Sequence, residues 1–209
     1  KKVSGGSYGA IIGVSDIDRA LKVYSDILGY DKVVYDVTGT FDDLAPLPGG
    51  SGTFRRVLLA PGKPFHGGFS PVFGQSTVEL MQAIDIKGTK IYEGRFWGDP
   101  GFIHLCYDIN GMDNLRKYCD NAGFPFSVDS MQSHAGQSFD MGEAAGHFAY
   151  IEDPDGTLIE FVETHKVPII KALGWYLNMR KRDHNKPLPS WMIRTLGFSR
   201  VKQKKGNRQ

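Results

Sequence analysis

A repeated segment constrains the fold of this chain more than any other feature of its sequence. Residues 9–30 and residues 103–124 each read as an apolar strand, a polar break, an amphipathic helix, and then a glycine followed by an aromatic residue. Two similar halves can build a two-fold symmetric sheet structure with a cleft between them. The second half ends in residues 153–160, where an Asp-Pro-Asp-Gly turn is expected to direct the carboxylate of Glu160 into that cleft.

Both halves predict the same order of elements, β-α-β-β-β, in modules at about residues 8–83 and 102–165. In the first predicted helix, apolar residues recur at the spacing of one helical face, and Gly29 is placed to end it. In the second module, residues 147–152 and 157–163 predict a hairpin around the Asp-Pro-Asp-Gly turn. The pattern predicts an α+β fold.

Length and composition allow a folded core and argue against a membrane segment. The chain has 209 residues, of which 41% are hydrophobic, enough for one large domain or two small ones. Two cysteines in this length favour a reducing compartment, so we expect a cytoplasmic protein. No run of 18 apolar residues occurs, and no apolar signal stretch follows Lys1 and Lys2, so no membrane span is expected. Because the chain does not begin with Met, it is open whether it belongs to a longer protein.

Charge separates the C-terminal segment from the rest of the chain. Residues 1–165 carry 13 Lys/Arg and 22 Asp/Glu, a net charge of −9, whereas residues 166–209 carry 12 Lys/Arg and one acid, a net charge of +11. Apolar spacing predicts a helix over residues 166–182 and a short second helix over residues 190–198. Three roles stay open for this basic segment: a clasp on the acidic body, a contact with a second subunit, or a contact with an anionic surface. No nucleic-acid motif accompanies it, so we expect no nucleic-acid partner.

The two modules, the segment VSDIDRALKVYSDILGY and the closing segment DPDGTLIEFVE together resemble the vicinal oxygen chelate superfamily. That superfamily includes glyoxalase I, extradiol dioxygenases, fosfomycin-resistance enzymes and bleomycin-binding proteins. The resemblance covers about residues 8–165. It implies an α+β fold in which two βαβββ modules form one glyoxalase-like domain over residues 1–165, followed by a helical basic extension over residues 166–209. One fold of this kind hosts many reactions, so the resemblance implies the fold more closely than the chemistry.

The resemblance also implies a metal site built from the first and last strands of each module. His104 matches the ligand at the start of a first strand, because it stands nineteen residues before Gly123. Glu79 and Glu160 match the ligands on the two last strands, whereas the fourth position falls on Gly9, which has no side chain to offer. We therefore expect Glu79, His104 and Glu160 to hold a divalent Zn, Ni, Mn or Fe ion, with water at the remaining positions.

His147 is an additional candidate ligand. In a tight Asp-Pro-Asp-Gly hairpin, Ala149 faces Glu160, and His147 then lies on the same face as both residues. Glu160 or Glu79 is also the candidate catalytic base. A glyoxalase-type reaction moves a proton next to a carbonyl while the metal stabilises the enediolate.

These residues leave three functions open. The first is a metal-dependent glyoxalase-like lyase or isomerase, with a dioxygenase as a poorer fit, acting on a small oxygenated organic substrate. The second is a metal-free small-molecule-binding protein of the bleomycin-resistance type, in which Arg55, Arg56 or Arg95 pairs with the carboxylates and His104 is a hydrogen-bonded core residue. The third is a non-catalytic module of a larger chain. Modules of this type often pair, so we expect a homodimer, and the Phe- and Gly-rich loop 61–75 is a candidate aromatic wall for a ligand.

Overall fold

The computed structural model describes residues 8–96, 99–133, 139–140, 145–170 and 174–195. The first module contains β1 (Gly9–Gly13), α1 (Ile17–Leu21) with a π-helical continuation (Lys22–Ile27), β2 (Lys32–Gly39), β3 (Phe54–Ala60), α2 (Ser70–Phe73) and β4 (Thr77–Ala83). The second contains β5 (His104–Asp108), α3 (Met112–Ala122), β6 (Val128–Asp129), α4 (Ser130–Ser133), β7 (Phe139–Asp140), β8 (Ala145–Glu152) and β9 (Leu158–Ile170). After them come β10 (Trp175–Asn178), a 3-10 turn (Met179–Lys181) and α5 (Ser190–Thr195).

Each module builds its own sheet. The first sheet has the order β1-β4-β3-β2, with β1 parallel to β4. In the second sheet β5 lies parallel to β9, β9 also pairs with β8 and β10, and β6 and β7 pair with β8. In both modules the first and last strands therefore lie side by side, and the predicted α+β fold of two βαβββ modules is confirmed.

The first helix shows how the sequence sets the local structure. Asp16 caps its start, because the side-chain oxygen accepts a hydrogen bond of 3.0 Å from the backbone N–H of Arg19. Gly29 ends it with φ 79°, in the left-handed region that favours glycine. The face between these ends is fully buried and comprises Ile17, Ala20, Val23 and Tyr24.

One hydrophobic core unites the helices and sheets of both modules. Strand residues alternate between this core and the opposite side, so that Ile12 and Leu80 are buried in the core while Ile11 is 61% exposed. We call the side of each sheet that points away from the core its open face. By register, the open face of the first sheet carries Ile11, Tyr35, Arg56 and Glu79, and that of the second sheet carries His104, Cys106, Tyr150 and Glu160.

The Asp-Pro-Asp-Gly turn ties the second module to the first. Asp153 accepts hydrogen bonds from the backbone N–H groups of Asp155 and Thr157, at 2.9 and 2.8 Å, and from the hydroxyl of Tyr24, at 2.9 Å. Asp155 accepts a further bond of 2.8 Å from the backbone N–H of Ser15. Burial raises the pKa of the Asp153 carboxyl. The turn therefore joins the helix and the loop before it in the first module to the β8–β9 hairpin.

The register of this hairpin differs by one residue from the tight turn that we predicted. Residues 153–157 form the connection, which a backbone hydrogen bond of 3.0 Å closes from its first residue to its last. Tyr150, rather than Ala149, therefore stands opposite Glu160. Because alternate residues point to opposite faces, the shift places His147 on the core side of the sheet, where it is buried.

The helix predicted over residues 166–182 is wrong. Strand β9 continues to Ile170, and β10 pairs antiparallel with its end, while residues 171–173 lie outside the described part of the chain. Pro168 explains the difference, since a proline inside a helix lacks a donor and clashes with the preceding turn. The β-branched residues beside Pro168 favour a strand instead. A short helix near the predicted position is present as α5.

The extension packs on the body through apolar, backbone and side-chain contacts. Met179 and Leu188 are buried, and the N–H of Leu188 donates a hydrogen bond of 2.8 Å to the carbonyl of Gly68. The amide nitrogen of Asn110 lies 2.7 Å from Nδ1 of His184. Strand β9 runs through the predicted domain boundary at residue 165, and that division stays a prediction. In the described ranges, the structure has no helix long and apolar enough to cross a bilayer.

Candidate functional site

Three side chains with metal-ligating atoms meet on the open face of the second sheet. His104 and Cys106 are two residues apart on β5, so their side chains point to the same face of the sheet. Glu160 lies directly opposite Cys106 on the parallel strand β9. One donor atom from each of the three lies within 4.8 Å of the other two. We call these three residues the His-Cys-Glu group. Among the residues that the structure describes, no second group of His, Cys, Asp and Glu meets this criterion.

His104 has one partnered and one unpartnered ring nitrogen. Its Nε2 lies 3.0 Å from Oε2 of Glu160, and its ring packs edge-on against Tyr150 with the centroids 5.5 Å apart. Its Nδ1 is buried and has no hydrogen-bond partner. A buried polar atom without a partner costs about 1–3 kcal/mol. The side chains of His104 and Glu160 are 26% and 17% exposed, so the group is open to a small ligand.

Glu160 also sets the electrostatics of its other neighbours. Burial, with the hydrogen bond and charge of Glu160, raises the pKa of the Cys106 thiol to about 12. The side chain of Cys106 is exposed and borders a cavity. Burial and a hydrogen bond to Glu160 likewise raise the pKa of Tyr150. Both groups therefore stay protonated at neutral pH.

The residues at this position fit a divalent ion. Imidazole nitrogen and carboxylate oxygen are ligands that Zn, Ni, Mn and Fe accept in proteins. Nε2 of His104, which lies 3.0 Å from Oε2 of Glu160, is the ring nitrogen placed to bind such an ion together with the carboxylate. The partial exposure of Glu160 leaves room for an ion to reach the carboxylate.

Glu79 lies on the open face of the other sheet and has different partners. Its Oε1 accepts a hydrogen bond of 2.8 Å from the hydroxyl of Tyr35 and another from Nε of Arg56. Arg56 also pairs with Asp43 at 2.8 Å. Glu79 is buried and is not part of the donor group around His104. The pairing with Arg56 is the one considered for a metal-free protein, and the role of Glu79 as a ligand or base stays a prediction.

His147 belongs to a separate buried network. Its Nε2 lies 2.8 Å from Oδ1 of Asp129, whose other oxygen pairs with Arg116. Burial acts to raise the pKa of Asp129, but hydrogen bonds from His147 and from the backbone N–H of Met131 hold it below its usual value. The structure does not bring His147 to the His-Cys-Glu group.

The fourth expected ligand position cannot carry a side chain. Gly9 lies opposite Thr77 in the register of β1 and β4, as His104 lies opposite Leu158 in the second module. A Cβ atom at Gly9 would lie 2.3 Å from the carbonyl oxygen of Thr77. Contact between the two strand backbones therefore requires glycine at the position that His104 occupies in the other module.

Sequence reasoning did not nominate Cys106 or Tyr150 as site residues. Cys106 has the same strand parity as His104, and that parity was the signal available in the sequence. Its partner Glu160 could not be read from parity, because it depends on the parallel register of β5 and β9. Tyr150 was missed because the predicted hairpin register placed Ala149 opposite Glu160.

Two cavities lie near these open faces. A cavity of about 280 Å³ borders Cys106 and has a mostly apolar lining. The loop predicted as an aromatic wall supplies Phe65 and Phe73 to it, and Tyr107 and Phe161 add further rings. A larger cavity of about 940 Å³ is lined by the first sheet, around Ile11, and by residues of the linker between the modules. The smaller cavity meets the His-Cys-Glu group at Cys106 and has room for a small organic molecule.

The family model of the Glyoxalase/Bleomycin resistance protein/Dioxygenase superfamily matches residues 10–140. This match spans more than half of the chain, so the protein belongs to that family, the vicinal oxygen chelate superfamily. The predicted family membership is confirmed. The match does not select one reaction, because the family description itself joins enzymes with binding proteins.

Solved structures share the fold. A glyoxalase family protein from Bacillus cereus is 12% identical, with a TM-score of 0.55 over 78% of this chain and 97% of that one. A glyoxalase family protein from Enterococcus faecalis is 14% identical, with a TM-score of 0.51 over 77% of this chain and 98% of that one. At such low identity the likeness shows the fold alone. No curated protein sequence matches the chain.

Proposed function

We propose that this protein is a metal-dependent lyase or isomerase of the glyoxalase type, acting on a small organic substrate with neighbouring oxygen atoms. The observation that carries this proposal is the meeting of His104 and Glu160 on an open sheet face, where Nε2 of the imidazole lies 3.0 Å from Oε2 of the carboxylate. A divalent Zn, Ni, Mn or Fe ion bound there would polarise the substrate oxygens and stabilise the negative charge that develops on them.

Glu160 is the residue to which we assign proton transfer. A carboxylate in a partly desolvated site suits the removal of a proton next to a carbonyl. The 3.0 Å distance between Nε2 of His104 and Oε2 of Glu160 would allow both atoms to bind one ion, which would hold this carboxylate in place. Tyr150 stays protonated at neutral pH, since burial and its bond to Glu160 raise its pKa, and it therefore remains a hydrogen-bond donor beside the base.

Glu79 is the second carboxylate that family resemblance offers as a ligand or base. Its bonds to Arg56 and Tyr35 hold it on the first sheet, and it would reach a substrate only after these contacts opened. If Glu79 moved away from Arg56, the guanidinium would lose one of its two carboxylate partners, and this loss costs free energy. We therefore place the chemistry on the second module.

Proton exchange at carbon tests this proposal directly. Protein loaded separately with each of the four ions is incubated in D₂O with small α-hydroxyketones and with thiol adducts of 2-oxoaldehydes. Proton NMR then follows the C–H signal next to the carbonyl. With at least one ion, we expect the wild type to exchange or isomerise a substrate and His104→Ala and Glu160→Gln to lose the activity.

Two exposed residues provide matched controls. Glu152 lies at the end of β8, and His184 lies between the 3-10 turn and α5. Glu152→Gln and His184→Ala should keep the wild-type exchange rate. Exchange that is equally fast in wild type and His104→Ala, or that is absent with every ion and substrate, contradicts the proposal.

The cavity beside Cys106 favours a second candidate function, a metal-free small-molecule-binding protein. Its volume of about 280 Å³ and its aromatic lining suit a small apolar ligand. If binding is the function, a fluorescent aromatic probe should bind equally well before and after treatment with a chelator. Leu115→Trp, which fills the cavity, should then abolish binding, and Tyr118→Trp on the exposed side of α3 should not.

We infer that the protein forms a homodimer, as modules of this type often do. The observation that supports it is the row of apolar side chains on the edge strand β2, where Val33, Val34 and Val37 are 54%, 51% and 44% exposed. The open edge of an apolar strand at the border of a sheet is a surface that proteins commonly cover. Light scattering should give a dimer mass for the wild type and a monomer mass for Val34→Lys, and a monomeric wild type contradicts the inference.

A further inference from the structure

We propose that Cys106 is a thiolate ligand of the metal and that His104, Cys106 and Glu160 complete the site within the second module. This inference rests on the proposed metal dependence. Family resemblance assigns the remaining ligand to Glu79, on the other sheet. In the structure, Cys106 is the third donor that stands beside His104 and Glu160.

The strand geometry directs the three donors at one place. His104 and Cys106 are two residues apart on β5, so their side chains leave the same face, and Glu160 projects from the neighbouring strand opposite Cys106. Their donor atoms lie within 4.8 Å of one another. Metal–ligand bonds of about 2.0–2.3 Å place tetrahedral ligands about 3.5 Å apart, so side-chain movements of about 1 Å suffice to close the site.

The first module is a poor source of the missing ligand. Glu79 already accepts hydrogen bonds from Tyr35 and Arg56, and its side chain is 9% exposed. Gly9 occupies the other family position, and the carbonyl of Thr77 excludes even a Cβ atom there. The two ligand positions of the first module are therefore one paired carboxylate and one glycine.

The strand registers explain why Glu79 and Glu160 have different partners. In the first sheet, Arg56 stands opposite Met81, two residues beyond Glu79 on β4. The corresponding position of the second sheet is Phe148, opposite Val162 and two residues beyond Glu160 on β9. An aromatic ring thus replaces the guanidinium that neutralises Glu79, and Glu160 is left to His104, Cys106 and Tyr150.

A thiolate ligand changes which ions the site selects. One nitrogen, one sulfur and one oxygen donor form a three-residue set that leaves a coordination position for a substrate oxygen. Thiolate favours Zn, Co, Ni and Fe over Mg and Ca, which prefer oxygen ligands. When the ion binds, a metal–sulfur bond replaces the S–H bond of Cys106 and the proton passes to solvent, so binding should release protons.

Cobalt absorption distinguishes a sulfur ligand from the other donors. We would titrate the wild-type chain with Co²⁺ and record the near-ultraviolet sulfur-to-cobalt charge-transfer band together with the visible d–d bands. The wild type should show both sets of bands. Cys106→Ser should lose the charge-transfer band and bind Co²⁺ about tenfold or more weakly, the range of losses seen when a metal site is disturbed.

Two variants serve as controls for this titration. Cys119 is the other thiol of the chain and is fully buried in α3, away from the group, so Cys119→Ala should keep the charge-transfer band. Glu79→Gln should also keep the band and bind Co²⁺ about as tightly as the wild type. A loss of Co²⁺ binding in Glu79→Gln, with the fold intact by circular dichroism, overturns a site confined to the second module.

The outcomes separate this inference from the proposed function. Wild-type protein that binds Co²⁺ with d–d bands alone, or a charge-transfer band that survives in Cys106→Ser, overturns the thiolate ligand and leaves metal dependence standing. Absence of Co²⁺ binding in the wild type overturns both. An independent measurement needs no variant: Zn²⁺ should protect Cys106 from alkylation, read by mass spectrometry, and equal labelling with and without Zn²⁺ rejects the ligand role.

Discussion

At the scale of single residues, the two modules use the same positions for different purposes. Glu79 and Glu160 have equivalent places on β4 and β9, but the first is paired with Arg56 and the second with His104. A buried carboxylate needs a partner, and the nature of that partner decides whether it is structural or chemically available. The open face of the second sheet therefore holds the carboxylate to which we assign the chemistry.

The Arg56–Glu79 pair should contribute to stability rather than to metal binding. Glu79→Gln removes the negative charge from a side chain that is 9% exposed, so we expect a loss of about 1–3 kcal/mol in the free energy of unfolding. Asp43, the other partner of Arg56, has a side chain that is 61% exposed. Asp43→Asn should therefore lower the free energy of unfolding by less than about 1 kcal/mol. Urea unfolding measures the free energy of unfolding of both variants. Equal losses would contradict the expectation that the buried pair contributes more to stability than the exposed one.

Gly9 and Gly13 lie on the same strand and provide a test of the close approach between β1 and β4. A Cβ at Gly9 would meet the carbonyl oxygen of Thr77 at 2.3 Å, whereas a Cβ at Gly13 would meet nothing within 4 Å. We expect Gly9→Ala to destabilise the protein by about 1–3 kcal/mol, the usual cost of overpacking. Gly13→Ala should be neutral or slightly stabilising, because alanine restricts the unfolded chain. Thermal unfolding of the two variants decides, and a stable Gly9→Ala protein contradicts the steric account.

At the scale of secondary-structure elements, the β8–β9 turn determines both the register of the site and the contact between modules. The five residues of this turn place Tyr150 opposite Glu160. Its Asp153 accepts a hydrogen bond from the hydroxyl of Tyr24 in the first helical region. A turn one residue shorter would move every β9 side chain to the other face. The site therefore depends on the length of this connection as much as on its own residues.

The Tyr24 hydroxyl should stabilise the contact between modules. Tyr24→Phe leaves a buried carboxylate without one donor, so we expect a loss of about 1–3 kcal/mol on unfolding. Tyr118 also donates across the modules, to the carbonyl of Asp26 at 3.1 Å, but it is half exposed. Tyr118→Phe should therefore cost less than about 1 kcal/mol. The comparison is made by denaturant unfolding, and a larger effect at Tyr118 would be evidence against the buried tether.

The Asp129 network should make stability fall in acid. His147 and the N–H of Met131 hold the pKa of Asp129 below its unfolded value, so the folded state keeps this group ionised where the unfolded chain binds a proton. Its contribution is complete above the unfolded pKa of about 3.9 and is lost as the pH falls through the lower folded pKa. Asp129→Asn should lower stability at pH 7 and weaken its dependence on pH below about 4. Unfolding measured across this range checks both, and an unchanged acid limb would exclude Asp129 as its source.

The sequence predicted the strand and helix order well, because alternation, helical spacing and the glycines at helix ends are local signals. It predicted His104 and Glu160 as neighbours only through family resemblance, since their contact depends on the pairing of β5 with β9. The helix predicted over residues 166–182 is wrong because Pro168 and its β-branched neighbours disfavour a helix despite the apolar spacing. The partners of Glu79 were also partly foreseen, because Arg56 was one of three arginines named for that pairing.

At the scale of the whole molecule, one domain of two similar sheets carries one group of metal-ligating residues in its described part. The basic extension packs on the loop after β3 through Leu188. This residue is buried, and its backbone N–H donates a hydrogen bond to the carbonyl of Gly68. In the described part of the extension, Lys186 pairs with Asp183 of the same segment. The clasp predicted from the charge pattern stays a prediction, because the described contacts of the extension with the body involve no ion pair.

The central claim is that the second module holds a metal ion through His104. Elemental analysis tests it most directly, on wild type, His104→Ala and the control His66→Ala, each purified and then dialysed against Zn²⁺, Ni²⁺, Mn²⁺ or Fe²⁺. We predict close to one ion per chain in wild type and His66→Ala and a near-complete loss in His104→Ala. Wild-type protein without metal under every condition, or equal metal content in His104→Ala, would contradict the account and favour ligand binding in the aromatic cavity.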